Sequence, residues 1–321
     1  MKDTVAVVIP VKNGFPEIKD CITGWLSQTV LPEKILVIDS GSTDGTLEYL
    51  KSIKRVEVVS IPPEEFSHGA TRNLGWKYCT EDYLLYTVQD ATPVNSDVLS
   101  ELLDTFKHHN IAGVCGQQVV QKDKSKNPAQ WFSPISEPEV VTYHYEPGEF
   151  EKLDPAQKKN SCGWDDVLAM YRREVLEEIP FQPVVFGEDM IWAKDALQAG
   201  YTIAYNYKAR VFHCHHEHAD FTFKRVFTIQ YFLYRHFGFL YPKNRSSFLD
   251  ELRLIKVLVR NLGTDIAAIL KWYQYNKTME DASVRALEQF EKYRLQGEDV
   301  LDKKHTELCG KPPIAAKATV I

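Results

Sequence analysis

"ILVIDSGSTDGT", residues 35–46, decides the fold of this chain. An apolar run from Ile35 closes on one carboxylate, Asp39, and Ser, Gly, Ser, Thr, Asp and Gly follow at once. A run too short for a helix and bounded by turn residues reads as a buried strand. Asp44 and Thr46 then offer a helix start, and 43–54 has helical spacing. The pattern repeats on either side. "VAVVIP" (5–10), "VEVVSI" (56–61), "YLLYTV" (83–88) and "AGVCGQQVV" (112–120) read as strands. Residues 16–30, 69–79 and 96–109 read as helices, with Ile18, Ile22, Trp25 and Leu26 on one face. This rhythm predicts an α/β fold, a mostly parallel sheet covered by helices. In such sheets ligands bind beyond the carboxyl ends of the strands. Asp39 and Asp90 both stand at that end.

Composition excludes several classes. A length of 321 residues and 44% hydrophobic content suit one large domain, or a domain with an appendage, and a sizeable core. A net charge of −6 and a pI near 6.0 argue against a nucleic-acid partner. The first strand starts at residue 5 with no leader pattern before it. No apolar run approaches the ~18 residues of a bilayer-spanning helix. The six cysteines are scattered without a C-x-x-C pair, which predicts reduced thiols and a cytoplasmic protein.

Further along, 121–160 is polar and weakly periodic, and reads as a long excursion over a site. "VLAMYRREVLEEI" (167–179) and "MIWAKDALQAG" (190–200) are expected helices, and "TIAYNY" and "ARVFHCH" a pair of short strands. From 221 the chain reads as helical, through 221–241, 246–275 and 280–308, with a frayed tail from 309. The expected division is therefore 1–220 and 221–321. In the second part Leu249, Leu252, Ile255 and Val259 form a stripe beside Arg253, Lys256, Arg260 and Lys271. Two readings suit it: packing with a homodimer contact, or a platform on a membrane surface.

The chemistry-bearing residues lie in separate motifs. The turn after the first strand, "PVKNGF", lacks G-x-G-x-x-G, and no P-loop is present. Asp39 can accept from a ribose hydroxyl or a pyrimidine N–H, or cap the next helix. Arg72 and Asn73 fall near a helix start that favours phosphate, and an arginine fork suits a diphosphate; a surface ion pair is the other reading. Glu188 and Asp189 open another helix, where a carboxylate can take a hydroxyl proton or simply complement the helix dipole. "HCHHEH" (213–218) sets His213 and His215 on one side, a zinc-like spacing without a second cluster.

Taken together, "VVIPVKNG", "ILVIDSGSTDGT", "HGATRNLGW", "LLYTVQDATP" and "FGEDMIWAKDALQAGY" resemble the family 2 inverting glycosyltransferases of GT-A fold. Within them the chain is most similar to the rhamnosyltransferase-like branch, over about residues 4–220. The resemblance implies that Pro10, Val11, Asn13, Asp39, Ser40 and Gln89 hold a nucleotide-sugar donor, together with His68, Gly69, Arg72 and Asn73. It implies Mg²⁺ or Mn²⁺ on Asp90, with His213 helping and His215 in support. Val88 stands where the family's D-x-D has its first acid. Asp189 would be the base and Glu188 would orient it or the acceptor. Trp164, Asp165 and Asp166 would meet the acceptor. The implied reaction moves a sugar, foremost from dTDP-L-rhamnose, to a hydroxyl of a bacterial surface glycan or a polyprenyl-diphosphate-linked oligosaccharide at the cytoplasmic membrane face. The alternatives are a UDP-hexose or UDP-N-acetylhexosamine donor, or a catalytically silent nucleotide- or glycan-binding scaffold.

Overall fold

A computed structural model describes residues 3–107, 111–131, 137 and 139–309. The chain runs β1 (Val5–Val11), α1 (Ile18–Leu26), β2 (Lys34–Asp39), α2 (Thr46–Lys51), β3 (Val56–Ser60), α3 (His68–Tyr78) and β4 (Tyr83–Thr87). It continues through β5 (Thr92–Pro93), α4 (Val98–Phe106), β6 (Ile111–Val119), β7 (Val140–Tyr143), α5 (Glu149–Lys152) and α6 (Pro155–Ser161). Next come β8 (Leu168–Arg172), α7 (Arg173–Glu178), α8 (Glu188–Gln198) and β9 (Thr202–Phe212). The helices α9 (Ala219–Phe237), α10 (Phe248–Leu262), α11 (Ile266–Arg294) and α12 (Glu298–Cys309) follow.

Among the described residues, nine strands form one sheet in the order β3-β2-β1-β4-β8-β6-β9-β5, with β7 also on β9. β1 to β4 are parallel, and β8 runs antiparallel between β4 and β6. Buried on both faces, β1 is apolar throughout, as a central parallel strand must be. Ile18, Ile22 and Trp25 of α1 pack on one face with Leu99 and Leu102 of α4. The chain divides into two compact units, 1–119 with 134–213, and 120–133 with 214–321. The second has its own core around Phe227, Ala286, Phe290 and Leu301.

The expected α/β architecture is present, and four local readings need correction. Residues 167–179 are not one helix: Leu168–Arg172 is a strand, and only Arg173–Glu178 is helical. Leu168 to Tyr171 are buried on both sides, and that burial comes from distant partners. "TIAYNY" and "ARVFHCH" belong to one strand, β9. It looked like two because β9 bulges: Cys115 pairs with Tyr205 and Gln117 with Arg210, so β9 advances five residues where β6 advances two. Asn206 fastens the bulge, donating to the Glu101 carbonyl and to Thr105 at 2.9 Å each. The 121–160 excursion carries β7, α5 and α6 among its described residues. A capping box of Asp154 and Gln157 starts α6, with Pro155 in its first turn. The C-terminal helices break at Gly263 and Gly297, both at positive φ, rather than near 276. The frayed tail lies outside the described residues from 310 onward.

Met170 sits fully buried at the middle of β8. Met170→Ala is expected to cost about 2–5 kcal/mol, measured as a drop in the urea midpoint. A residue on a surface helix would cost far less.

Candidate active site

The carboxyl ends of β1, β2 and β4 lie side by side, with Val11 level with Asp39. Their turns are tied together. The Asn13 side-chain oxygen accepts from the Thr43 N–H at 2.8 Å, and the Asn13 N–H donates to Ser42 at 2.8 Å. The Gly14 N–H donates to Thr46 and the Phe15 N–H to Asp44, both at 3.0 Å. Gln89 accepts from the Lys12 N–H at 2.9 Å, which joins the β4 end to the β1 turn. Asp39 accepts from the N–H groups of Gly41 and Ser42, and the Ser40 hydroxyl donates to the Val11 carbonyl. Asn13 is the one described non-glycine residue at positive φ, 50°. Asn tolerates that geometry better than most residues. Pro10, Val11, Asn13, Asp39, Ser40 and Gln89 therefore belong to one braced rim.

Beside the rim lies a charge cluster. Arg72, only 6% exposed, reaches from α3 to Asp166 at 2.7 Å and to Glu188 at 2.6 Å. Sequence reasoning pointed Arg72 at a diphosphate; the fold turns its guanidinium on two buried carboxylates. Asp166 is 1% exposed and accepts from the Tyr171 hydroxyl, which accepts from the Trp164 indole at 2.6 Å. The Asp166 N–H donates to Asp189 at 3.3 Å. Burial opposes the Arg72 charge, and Glu188, Asp166 and Asp189 more than offset it, so its pKa rises. Burial pushes the Asp166 carboxyl up to about 7, against the pull of Arg72. Asp189 is raised well above the carboxylate range by burial and by the charges of Glu188, Asp166 and Asp165. One cation cannot balance every acid nearby, so protons are held here near neutral pH. Of these acids, Glu188 and Asp166 are buried while Asp189 is partly exposed.

A third group involves His213. Its Nε2 lies 3.6 Å from Asp90 Oδ1, and its Nδ1 is 2.8 Å from Gln118 Oε1. The Gln118 amide nitrogen donates to Asp165, which leaves the oxygen for His213. An amide oxygen only accepts, so Nδ1 carries a proton and Nε2 is the nitrogen that faces Asp90. This is the orientation that an outer hydrogen bond gives a metal-binding histidine. Among the described residues, Asp90, His213 and His215 can share a cation. Only Cys214 separates the two histidines, so the covalent chain itself keeps His215 near. Glu217, on the same side in the sequence pattern, bonds Thr222 and Arg225 instead. His216 packs on Trp272, 5.1 Å between ring centres.

Other expected residues have structural partners. Trp164 is buried against Tyr171, Trp192 and Tyr205, without an open face for a sugar. Asn73 clasps the Phe181 backbone, donating at 2.8 Å and accepting at 3.0 Å. The close approach implied at Gly69 is to the protein itself: a Cβ there would meet the Gln182 carbonyl oxygen at 2.2 Å. His68 lies between Arg72, 3.4 Å from its Nδ1, and the Phe66 ring, and burial lowers its pKa. Gln118 and Tyr171 were missed. Gln118 lies near the end of β6 and its partners, Asp165 and His213, are far away in sequence, and Tyr171 was placed on a helix.

This sheet with acids at its carboxyl edge is the GT-A glycosyltransferase fold. It superposes on S. aureus TarS 1–349 in complex with UDP-GlcNAc with TM-score 0.54 and 14% identity, covering 90% of this chain and 92% of that one. It also matches the mannosyltransferase PcManGT of Pyrobaculum calidifontis, solved with GDP-Man and Mn²⁺, with TM-score 0.53 and 16% identity over 95% and 84% of the chains. Residues 6–180 match the model of glycosyl transferase family 2. The chain is 34% identical over 233 residues to the O-antigen chain rhamnosyltransferase RfbN of Salmonella typhimurium strain LT2, 70% of each chain. It is 30% identical over 230 residues to the O-antigen chain rhamnosyltransferase WbaN of Salmonella anatum, 69% of each. The chain belongs to glycosyl transferase family 2, and it is a glycosyltransferase.

The raised Asp166 carboxyl gives a signed expectation. Its contribution to stability is full below an ordinary carboxylate pKa and is lost as pH rises through about 7. Asp166→Asn is expected to flatten the fall in melting temperature across that window. An unchanged slope would assign the proton elsewhere.

Proposed function

We propose that the enzyme performs an inverting transfer from a nucleoside-diphosphate sugar, foremost dTDP-L-rhamnose, to a hydroxyl of a growing bacterial surface glycan or a polyprenyl-diphosphate-linked oligosaccharide. The observation that carries the reading is the placement of Asp189, partly exposed at the first turn of α8 and held by the Asp166 N–H beside the buried Arg72 cluster. A carboxylate with a raised pKa is a stronger base than an ordinary one, and it suits proton removal from an attacking hydroxyl. Arg72 and the Asp166 N–H hold its surroundings fixed, and Glu188 orients Arg72. Asp39, Asn13 and their neighbours form the donor's nucleotide rim.

Asp90 and His213, with His215, fit a divalent cation: one carboxylate, and one imidazole whose Nδ1 is engaged by Gln118 while its Nε2 faces the carboxylate. Mn²⁺ or Mg²⁺ held there would offset charge on the leaving diphosphate. Asp90 would meet it without the acid that Val88 replaces. The names of the Salmonella relatives favour rhamnose. The UDP-GlcNAc complex of a fold neighbour keeps a UDP-sugar donor as the second reading.

Asp189→Asn is expected to lower transfer by about 10²–10⁴-fold with nucleotide affinity retained. Unchanged turnover would remove the base assignment. Asp90→Ala should abolish the effect of Mn²⁺ on nucleotide affinity in titration calorimetry. A panel of dTDP- and UDP-sugars, assayed for nucleotide release, separates the donors; release from none of them favours the scaffold.

A further inference from the structure

The second unit presents an apolar surface that its own core does not use. Phe248, Leu252, Ile255 and Val259 recur at steps of four, three and four along α10, which puts them on one stripe. That stripe faces outward, while Leu258, about 90° round the helix from it, is fully buried. Leu249 beside the stripe and Ile266 and Leu270 on α11 extend it. All seven are between 39% and 73% exposed, Phe248 the most. A contiguous apolar face of this kind on a soluble protein marks a docking surface.

Charge identifies the occupant. Each residue along a helix turns about 100°, so Lys256 and Arg260, one residue beyond Ile255 and Val259, line the edge of the stripe. Both are exposed, and neither has an ion pair among the described residues. Lys271 is exposed too, its ammonium 5.3 Å from the Trp272 ring centre. The nearby acids are already engaged: Asp250 with Arg253 at 2.8 Å, Glu251 with Lys277 at 2.8 Å, and Asp265 capping α11 at the Ala268 N–H. A two-fold contact with a second copy would bring Lys256 and Arg260 of both chains to one patch without free acids to meet them. Anionic headgroups would meet both the charge and the apolar stripe, as they do for interfacial amphipathic helices. Among the described residues no helix is long and apolar enough to cross a membrane, so the contact would lie on the surface.

We propose that the outer face of α10, continued by the start of α11, docks the enzyme on an anionic lipid bilayer. The inference does not depend on the donor or acceptor assigned above. The test is co-sedimentation of the full chain with vesicles of phosphatidylglycerol and phosphatidylcholine, against phosphatidylcholine alone. Binding is expected only to the anionic vesicles, and it weakens as salt rises. Each basic contact contributes about fivefold in partitioning. Lys256→Glu with Arg260→Glu is therefore expected to lower binding at least about 25-fold, and Leu252→Ser with Val259→Ser to lower it as well. These positions are exposed, and both double variants should keep the wild-type melting temperature and donor turnover in solution. Absence of binding to the anionic vesicles, or wild-type binding by both variants, would overturn the proposal. So would a dimer in light scattering that the Leu252/Val259 variant abolishes, since a second copy would then cover the face.

Discussion

One guanidinium ties together the first of the two units. Arg72 cannot be buried alone: an unpaired charge in the interior costs several kcal/mol even after relaxation. Its two carboxylates come from different places in the chain, Asp166 just before β8 and Glu188 at the first turn of α8. Satisfying Arg72 therefore fixes α3, the start of β8 and the start of α8 relative to one another. Asp189 follows Glu188 in the chain, so its position is set by the same pairing. Removing either partner would leave a buried charge uncompensated.

The surroundings are arranged to keep that cluster in place. Tyr171 and Trp164 supply a hydrogen-bonded path to Asp166 from inside the sheet, and Trp192 packs against both rings. Asn73 and Gly69 press α3 onto the segment that precedes α8. These residues sit in motifs that sequence reasoning assigned to substrate. Much of each motif instead builds the wall behind the site, and a smaller part faces the open edge.

The sheet was legible because its first strands announce themselves locally. The β2 run ends in Asp39 and a glycine-rich turn, and the β1, β3, β4 and β6 runs are short, apolar and well spaced. β8 was not legible. Its Leu168–Tyr171 run is followed directly by charged helical residues, and its antiparallel place between β4 and β6 depends on partners far away in sequence. The acids Asp90, Glu188 and Asp189 stood out in the sequence, since each interrupts an otherwise simple pattern. That Arg72 points inward was not readable, because the spacing of α3 gives its face only after the neighbours are known. Gln118 was invisible for the same reason: its role is to fix a proton on His213, and no local pattern records a tautomer.

The bulge in β9 has a consequence for that proton. Side chains alternate between the two faces of a sheet, so an odd surplus exchanges odd and even positions. β9 gains three residues on β6 between Tyr205 and Arg210. Before the bulge, odd-numbered residues of β9 share a face with Cys115; after it, even-numbered ones do. His213 thus comes to the face of Gln118 rather than the opposite one. An even surplus would keep the histidine in the sequence while parting it from its hydrogen-bond partner. Parity, not only proximity, decides which side chain meets His213.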